Sequence, residues 1–505
     1  HDNPLQQALS PLVIRKDLDG DGDYDHLQYT GSDHVVLGGT EENDVLIAGG
    51  GDDTVWGDGG DDIIEAGYGV DRVHGGDGDD RITNSGTDIG ETDFLHGDAG
   101  NDVMHGGSGL ALMFGGDGND FISTGKDGKE AFGGEGDDFI LGGEGADFLL
   151  GNEGDDWIEA GNGFDTTAGD NSELFFNSTV IGHDVMFAGQ NEHDFDAESG
   201  DDIMVQGESV MRNEGMAGFD WAIHKGIRVG VDADLGIPIF SNAAADILRD
   251  RFDLVEGLSG WNHDDVLTGR ETAEGAAGPA NPAPGTPLAS YSNALFQSGV
   301  DRIAGFDRLV DHIARDTGDP DAVVLDTVDA SDILLGGGGS DRIQGKAGND
   351  IIDGDAWLNV RLSVRDADGN EIRTVDSLTE IEAELFAGTI KTRDLHVVRE
   401  VLWEPSANET DTARFSDIRA NYTISHDLAL DTWTVAHTGG DGSDGVDTLR
   451  NIERLEFTNA DGSIFVETID QAPTGMLAIA GTAARGRRWR ACRSAPGRWS
   501  RRRSS

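Results

Sequence analysis

GGEGDDFILGGEGADFLLGNEGDDWIEAGNGFD, residues Gly133–Asp165, repeats one nine-residue phrase three times and begins a fourth. An aspartate returns at every ninth position, and each is preceded by a glycine-rich stretch. The apolar residues come in short pairs, too few at a time for an amphipathic helix. Glycine costs conformational entropy on folding, so this pattern needs a source of stability other than a thick apolar core.

Outward from this stretch, the chain divides into windows of nine. From Ala48 they read AGGGDDTVW, GDGGDDIIE, AGYGVDRVH and GGDGDDRIT. A thirteen-residue unit, Asn84 to His96, interrupts, and eight further windows run from Gly97 to Ala168. The shared pattern is G-G-x-G-x-D-x-U-x, with U apolar. The first six residues turn sharply, and the last three form a short strand with one residue facing in. Two windows make one coil, so each coil advances the chain by one strand spacing of about 4.8 Å. This predicts a parallel β-roll in a chain dominated by β-structure.

Carboxylates and turn carbonyls are hard oxygen donors, which suit Ca²⁺ better than zinc or copper. The sixth-position candidates are Asp53, Asp62, Asp71, Asp80, Asp102, Asp120, Asp138, Asp147, Asp156 and Asp165. Asp44, Asp93 and Asp202 sit in similar phrases outside the strict register. A flexible Gly/Asp-rich linker is the bland alternative, but a linker requires neither the phase nor the recurrent apolar position. A second block, TVDASDILL, GGGGSDRIQ and GKAGNDIID, offers Asp332, Asp341 and Asp350 and predicts a second short roll. Ahead of both, DLDGDGDYDHLQ follows the D-x-D-x-D-G loop of EF-hand-like sites, with Asp17, Asp19, Asp21, Asp23 and Asp25 as ligands. Gln28 stands where such a loop carries its bidentate glutamate.

Composition agrees with a cation-dependent fold. The 505 residues include 75 glycines, and 97 acidic residues against 36 basic ones give a formal net charge of −61. Such a chain repels nucleic acid and resists its own compaction until counterions bind. Cys492 is the only cysteine, so no internal disulfide forms, and no apolar run is long enough to span a membrane. The chain begins at His1 and reads as a fragment of a longer protein. G-x-S-x-G, P-loop and H-E-x-x-H motifs are absent, so no catalytic residue is assigned. His74, His96 and His105 fall at strand ends of the repeat; they read as outward-facing residues, with transition-metal binding the alternative.

The expected organisation is a lead-in with the acidic loop over 1–47 and a roll over 48–206, degenerate after 168. A mixed irregular and helical region over 207–326 follows, with helical apolar spacing at 241–256 and 300–313 and a Pro/Ala-rich linker at 271–290. The second repeat block spans 327–356, and an α+β region with antiparallel strands spans 357–470. Within 357–470, Ser377 caps a short helix. Residues 471–505 read as the start of another module followed by a basic, out-of-frame tail. Two expectations concern the roll itself. The apolar outer-face positions, including Phe121, Phe139 and Trp157, require a cover from later or upstream chain. One edge carries an unbroken series of aspartates, whereas Ala111 and Lys129 interrupt the other.

Windows Ala48 to Ala168 resemble the haemolysin-type RTX family, which implies a Ca²⁺-loaded parallel β-roll on a protein exported by type I secretion. AGDNSELFFNSTVIGHDVMFAG, DFDAESGDDIMVQG and LVEGLSGWNHDDVLTG resemble the region that follows the catalytic domain in bacterial animal-type haem peroxidases, including manganese-oxidising ones. GVDTLRNIERLEFTNADG resembles a closing segment of RTX proteins. The resemblance implies several Ca²⁺ ions, an extracellular location and a haem-containing domain upstream on the same polypeptide as the chain's partner. A direct contribution to a peroxidase active site and a role as an adhesin or surface-layer segment are the alternatives.

Overall fold

The computed structural model describes residues 11–22, 24–85, 92–170, 182–191, 193–246, 248–272, 292–313, 317–327, 329–404, 408–469, 489–493 and 499–503. All but the first two residues of the linker expected at 271–290, and most of 471–505, lie outside the described residues, as does Asp23.

The nine-residue windows fold into a parallel roll. Odd and even windows supply opposite sheets, so each strand pairs with the strand two windows away: Phe121 with Phe139, Phe139 with Trp157, and Leu112 with Glu130. The thirteen-residue unit lengthens one coil without breaking the register, so that Arg81 pairs with Val103. Each strand sends one side chain inward. Val55, Ile64, Val73, Ile82, Met104, Ile122, Ile140, Leu149 and Ile158 are all fully buried in one continuous core. That core is only two apolar side chains per coil, which is little to set against the entropy of ordering a whole coil of backbone.

The roll does not stop at Ala168. Its first sheet continues in parallel through Val185–Phe187, Ile203–Val205, Trp221–Ile223 and Gly257–Ser259. It then takes up the second repeat block, where Gly257 pairs with Ile333 and Ile333 with Ile351. It ends on Val446–Arg450, which leads into the antiparallel strands Thr432–His437 and Tyr422–Asp427. The two repeat blocks therefore share one sheet, which the chain leaves at Ser259 and rejoins at Ile333. Opposite lie an eleven-stranded sheet and then a six-stranded one, and their inward residues join the same core.

A separate unit covers the outer face of the first sheet. Its antiparallel strands Ala356–Arg365, Glu371–Val375 and Leu395–Trp403, with helices Gln297–Arg302 and Glu382–Phe386, pack on Phe121, Phe139, Trp157 and Trp221. Those four aromatics are at most 1% exposed. Glu159 locks the cover down: its carboxylate accepts hydrogen bonds from Trp157 Nε1, Leu378 N and Ser377 Oγ at 2.6–2.7 Å. Ser377 caps a short 3-10 turn, Leu378–Glu380, that leads into the helix. The helix expected over 241–256 does not form; the segment makes turns and then the strand Arg251–Asp253. Phe252 and Val255 go into the roll interior, and Leu248 is 83% exposed, so no surface exists for an amphipathic helix to bury.

Candidate metal centre

The sixth position of each window falls where the turn becomes a strand, at the edge of the roll. Asp80 shows the local design. Its Oδ1 accepts a hydrogen bond from Asp62 N at 2.7 Å, which ties two coils together. Its Oδ2 is buried and has no hydrogen-bond partner. A Cβ on Gly75 would lie 2.2 Å from that oxygen and 2.5 Å from the carbonyl of Gly97. Glycine at the first position thus leaves open a cradle of oxygens.

The pattern repeats as a ladder along one edge. Asp44, Asp62, Asp80, Asp102, Asp120, Asp138, Asp156, Asp184, Asp202 and Asp220 each donate their backbone N–H to the carboxylate of the next, ending at Glu256, over 2.6–3.1 Å. Asp332, Asp350 and Asp447 extend it where the chain rejoins the sheet. The other edge runs Asp53, Asp71, Asp93, then Lys129, Asp147, Asp165, and resumes as Asp265, Asp341, Asp411. Oδ2 of Asp53, Asp62, Asp71, Asp80, Asp102, Asp120, Asp138, Asp156, Asp165, Asp341 and Asp350 is buried without a partner. Asp147 differs, its Oδ2 accepting from Gly143 N at 3.3 Å. A buried carboxylate oxygen is costly when nothing satisfies it, and a hard divalent cation among carbonyls satisfies it fully.

Residues 38–71, 56–86, 90–110, 112–127, 132–167 and 326–356 match the RTX calcium-binding nonapeptide repeat family. The chain carries RTX calcium-binding repeats. No curated protein matches it. The RTX matches end at residue 167 and resume at 326, whereas the ladder continues between them through Asp184, Asp202, Asp220 and Glu256.

Burial raises the pKa of the RTX carboxylates, because a charge in a low-dielectric edge is poorly solvated. Asp53 and Asp165 rise to about 6, Asp71 and Asp80 to about 7, Asp62, Asp120 and Asp341 to about 8, and Asp102 to about 9. Asp138, Asp156 and Asp350 are raised as well, again chiefly by burial. Without a cation these groups hold protons at neutral pH or repel one another.

The acidic loop ahead of the RTX repeats is built differently. It joins the antiparallel strands Val13–Lys16 and His26–Tyr29. Asp17 accepts from Gly20 N and Gly22 N, and Asp25 accepts from Leu18 N at 2.7 Å. One carboxylate oxygen each from Asp17, Asp19 and Asp21 lies within 4.8 Å of the others, all exposed. Gln28 lies within the strand His26–Tyr29 and pairs with Ile14.

Two positions along the edges already hold a cation from the chain itself. Lys129 is 3% exposed, and its Nζ donates to the carbonyls of Asp127 at 3.1 Å and Gly107 at 3.3 Å. Its ammonium thus fills the turn stack where Ala111 offers no carboxylate. Lys129→Met leaves those two carbonyls without this donor and is expected to destabilise the calcium-saturated chain by about 1–3 kcal/mol in denaturant titrations. An unchanged midpoint contradicts that role. Arg270 does the same on the other edge. Its Nε donates to Asp332 Oδ1 at 2.7 Å and its NH1 to Glu256 Oε1 at 3.2 Å, with all three side chains buried.

Sequence reasoning missed Asp184, Asp220, Glu256, Asp265, Asp411 and Asp447 as ladder members. Most of their spacings are irregular, as with Asp156 to Asp184 at 28 residues and Asp350 to Asp447 at 97, although Asp220 follows Asp202 by the regular 18. The surviving signal is an acid two residues before a buried apolar residue, as in Asp184 with Met186, Asp265 with Leu267 and Asp447 with Leu449.

Proposed function

We propose that the chain is a non-catalytic calcium module that stays expanded where Ca²⁺ is scarce, folds after export and supports an attached domain. The carrying observation is the ladder of buried carboxylates, most of which have one buried oxygen without a hydrogen-bond partner. In this reading Asp53, Asp62, Asp71, Asp80, Asp102, Asp120, Asp138, Asp147, Asp156, Asp165, Asp341 and Asp350 bind Ca²⁺, and Asp17, Asp19, Asp21, Asp23 and Asp25 bind a further ion at the lead-in loop. Each Ca²⁺ supplies charge neutralisation that the thin core cannot replace. Sites with Kd of roughly 10⁻⁴ to 10⁻³ M fill outside the cell and stay empty in the cytosol. The attached domain is a haem peroxidase upstream on the same polypeptide, as the resemblance of residues 168–269 suggests.

The test is circular dichroism and hydrodynamic radius, with chelator and then with millimolar Ca²⁺, at pH 8. Calcium is expected to raise the β-signal and shrink the chain. A chelated chain already compact and β-rich at that pH sinks the proposal.

A further inference from the structure

The second sheet's outer face carries a column of rings. Trp56, His74, His96 and Phe114 stand on successive strands, with centroids 4.1, 4.7 and 4.7 Å apart and planes within 8° of parallel. The stack holds the two imidazoles side by side between Trp56 and Phe114, and it continues from Phe114 onto Phe132 at 5.0 Å. Asp98 follows His96 by two residues and so stands on the same face of the strand. Its neighbours in register are Gly76 and Gly116, so no side chain crowds it. Asp98 itself takes a left-handed backbone, with φ of 73°. Its carboxylate reaches back to His74, with Oδ2 3.1 Å from Nδ1.

We propose that His74, His96 and Asp98 form a surface site for a borderline divalent transition-metal ion of the Zn²⁺ class, distinct from the oxygen-only calcium edges. The ligand chemistry separates the two: imidazole suits zinc, copper and nickel, whereas Ca²⁺ takes oxygen donors. The geometry fits as well. Ligands about 2.0–2.1 Å from a tetrahedral ion stand roughly 3.3 Å from one another, close to the His74–Asp98 separation of 3.1 Å. One donor atom from each of the three residues lies within 4.8 Å of the other two, and taking up one ion requires the two stacked imidazole planes to tilt toward it. Three protein ligands leave a fourth position for water or an external group, the arrangement of an open rather than a purely structural zinc site. The site is partly exposed, so an ion reaches it after the roll has formed.

The sheet register creates the site. His74 and His96 stand one lengthened coil apart and meet because the thirteen-residue unit, whose last residue is His96, keeps the windows in phase.

The experiment is a Zn²⁺ binding isotherm on the whole chain held in saturating Ca²⁺, with circular dichroism confirming that each variant is folded. The unaltered chain is expected to bind one Zn²⁺ more tightly than its scattered surface carboxylates do. His96→Ala and His74→Ala are each expected to weaken that ion roughly tenfold or more, since even the loss of a supporting group around a metal site costs 10–100-fold. Asp98→Asn weakens it as well. His34→Ala removes an exposed histidine beside Asp52 elsewhere on the roll and leaves the isotherm unchanged. Isotherms for His74→Ala and His96→Ala that superimpose on that of the unaltered chain overturn the proposal, as does an equal loss in His34→Ala.

Discussion

In calcium-free buffer, lowering the pH from 8.5 to 6 is expected to compact the chain and restore its β-signal. The ladder carboxylates have folded-state pKa values raised above the ordinary 3.8 by burial, to about 6 for Asp53, about 8 for Asp120 and about 9 for Asp102. A raised carboxylate binds its proton more tightly in the folded chain than in the unfolded one. Its contribution to stability is therefore complete below pH 3.8 and is lost as pH rises through the folded value. The loss begins above pH 3.8, and its upper part, which the step from pH 8.5 to 6 recovers, extends to about 7 for Asp71 and Asp80, about 8 for Asp62, Asp120 and Asp341, and about 9 for Asp102. A pH of 6 also stays well above the isoelectric point of 4.2, so precipitation does not obscure the change. With saturating Ca²⁺ the signal is expected to be flat over the same range, because the cation neutralises what the proton otherwise must. Identical spectra and radii for the chelated chain at both pH values would show that the carboxylates are not what holds it open.

Trp157→Ala is the second large effect. The indole is fully buried between roll and cover and donates from Nε1 to Glu159 at 2.7 Å. Removing it opens a cavity in that interface and takes a donor from the carboxylate that anchors Ser377 and Leu378. The cost in saturating Ca²⁺ is expected to be about 3–5 kcal/mol, as for other buried Trp→Ala changes. The loss is local to the cover, so proteolysis is expected to cut first within 356–403 while the roll keeps its calcium. If denaturant stability changes by less than about 1 kcal/mol and the cover resists protease as before, the interface is not what seats this unit.

How much of this was readable without coordinates varies along the chain. From Ala48 to Ala168 nearly everything was, because a fixed period sets both the inward residue and the edge aspartate: Ile122 and Asp120 follow from counting. The alternation of edges was legible for the same reason, and so was the break at Ala111 and Lys129. The need for a cover followed from Phe121, Phe139 and Trp157 recurring on one face. Legibility failed where coils lengthen. Between Asp220 and Glu256 the chain makes an excursion of 36 residues, and local patterning records the excursion but not the return. The apolar residues around Phe252 look helical in spacing, yet they fill a two-residue-thick interior already set by the preceding coils. Arg270 gave no signal, since a lone arginine after a turn is ordinary on a surface and its two carboxylate partners lie 14 and 62 residues away.

Arg270 sits at the widest gap that the first edge has to bridge before the second repeat block. Within the regular repeats each coil closes over two windows, but Gly257 meets Ile333 only after a far longer stretch of chain. Closing a ring roughly four times longer costs about 1.3 kcal/mol more in chain entropy. A free ion at that junction fills it only at sufficient concentration. A guanidinium carried on the backbone has no dissociation constant and is present at the junction at any calcium level. Among the described residues, the splice between the two blocks is thus an interval on this edge whose bridging cation does not depend on the calcium level, and the segment that supplies part of the cover leaves from beside it.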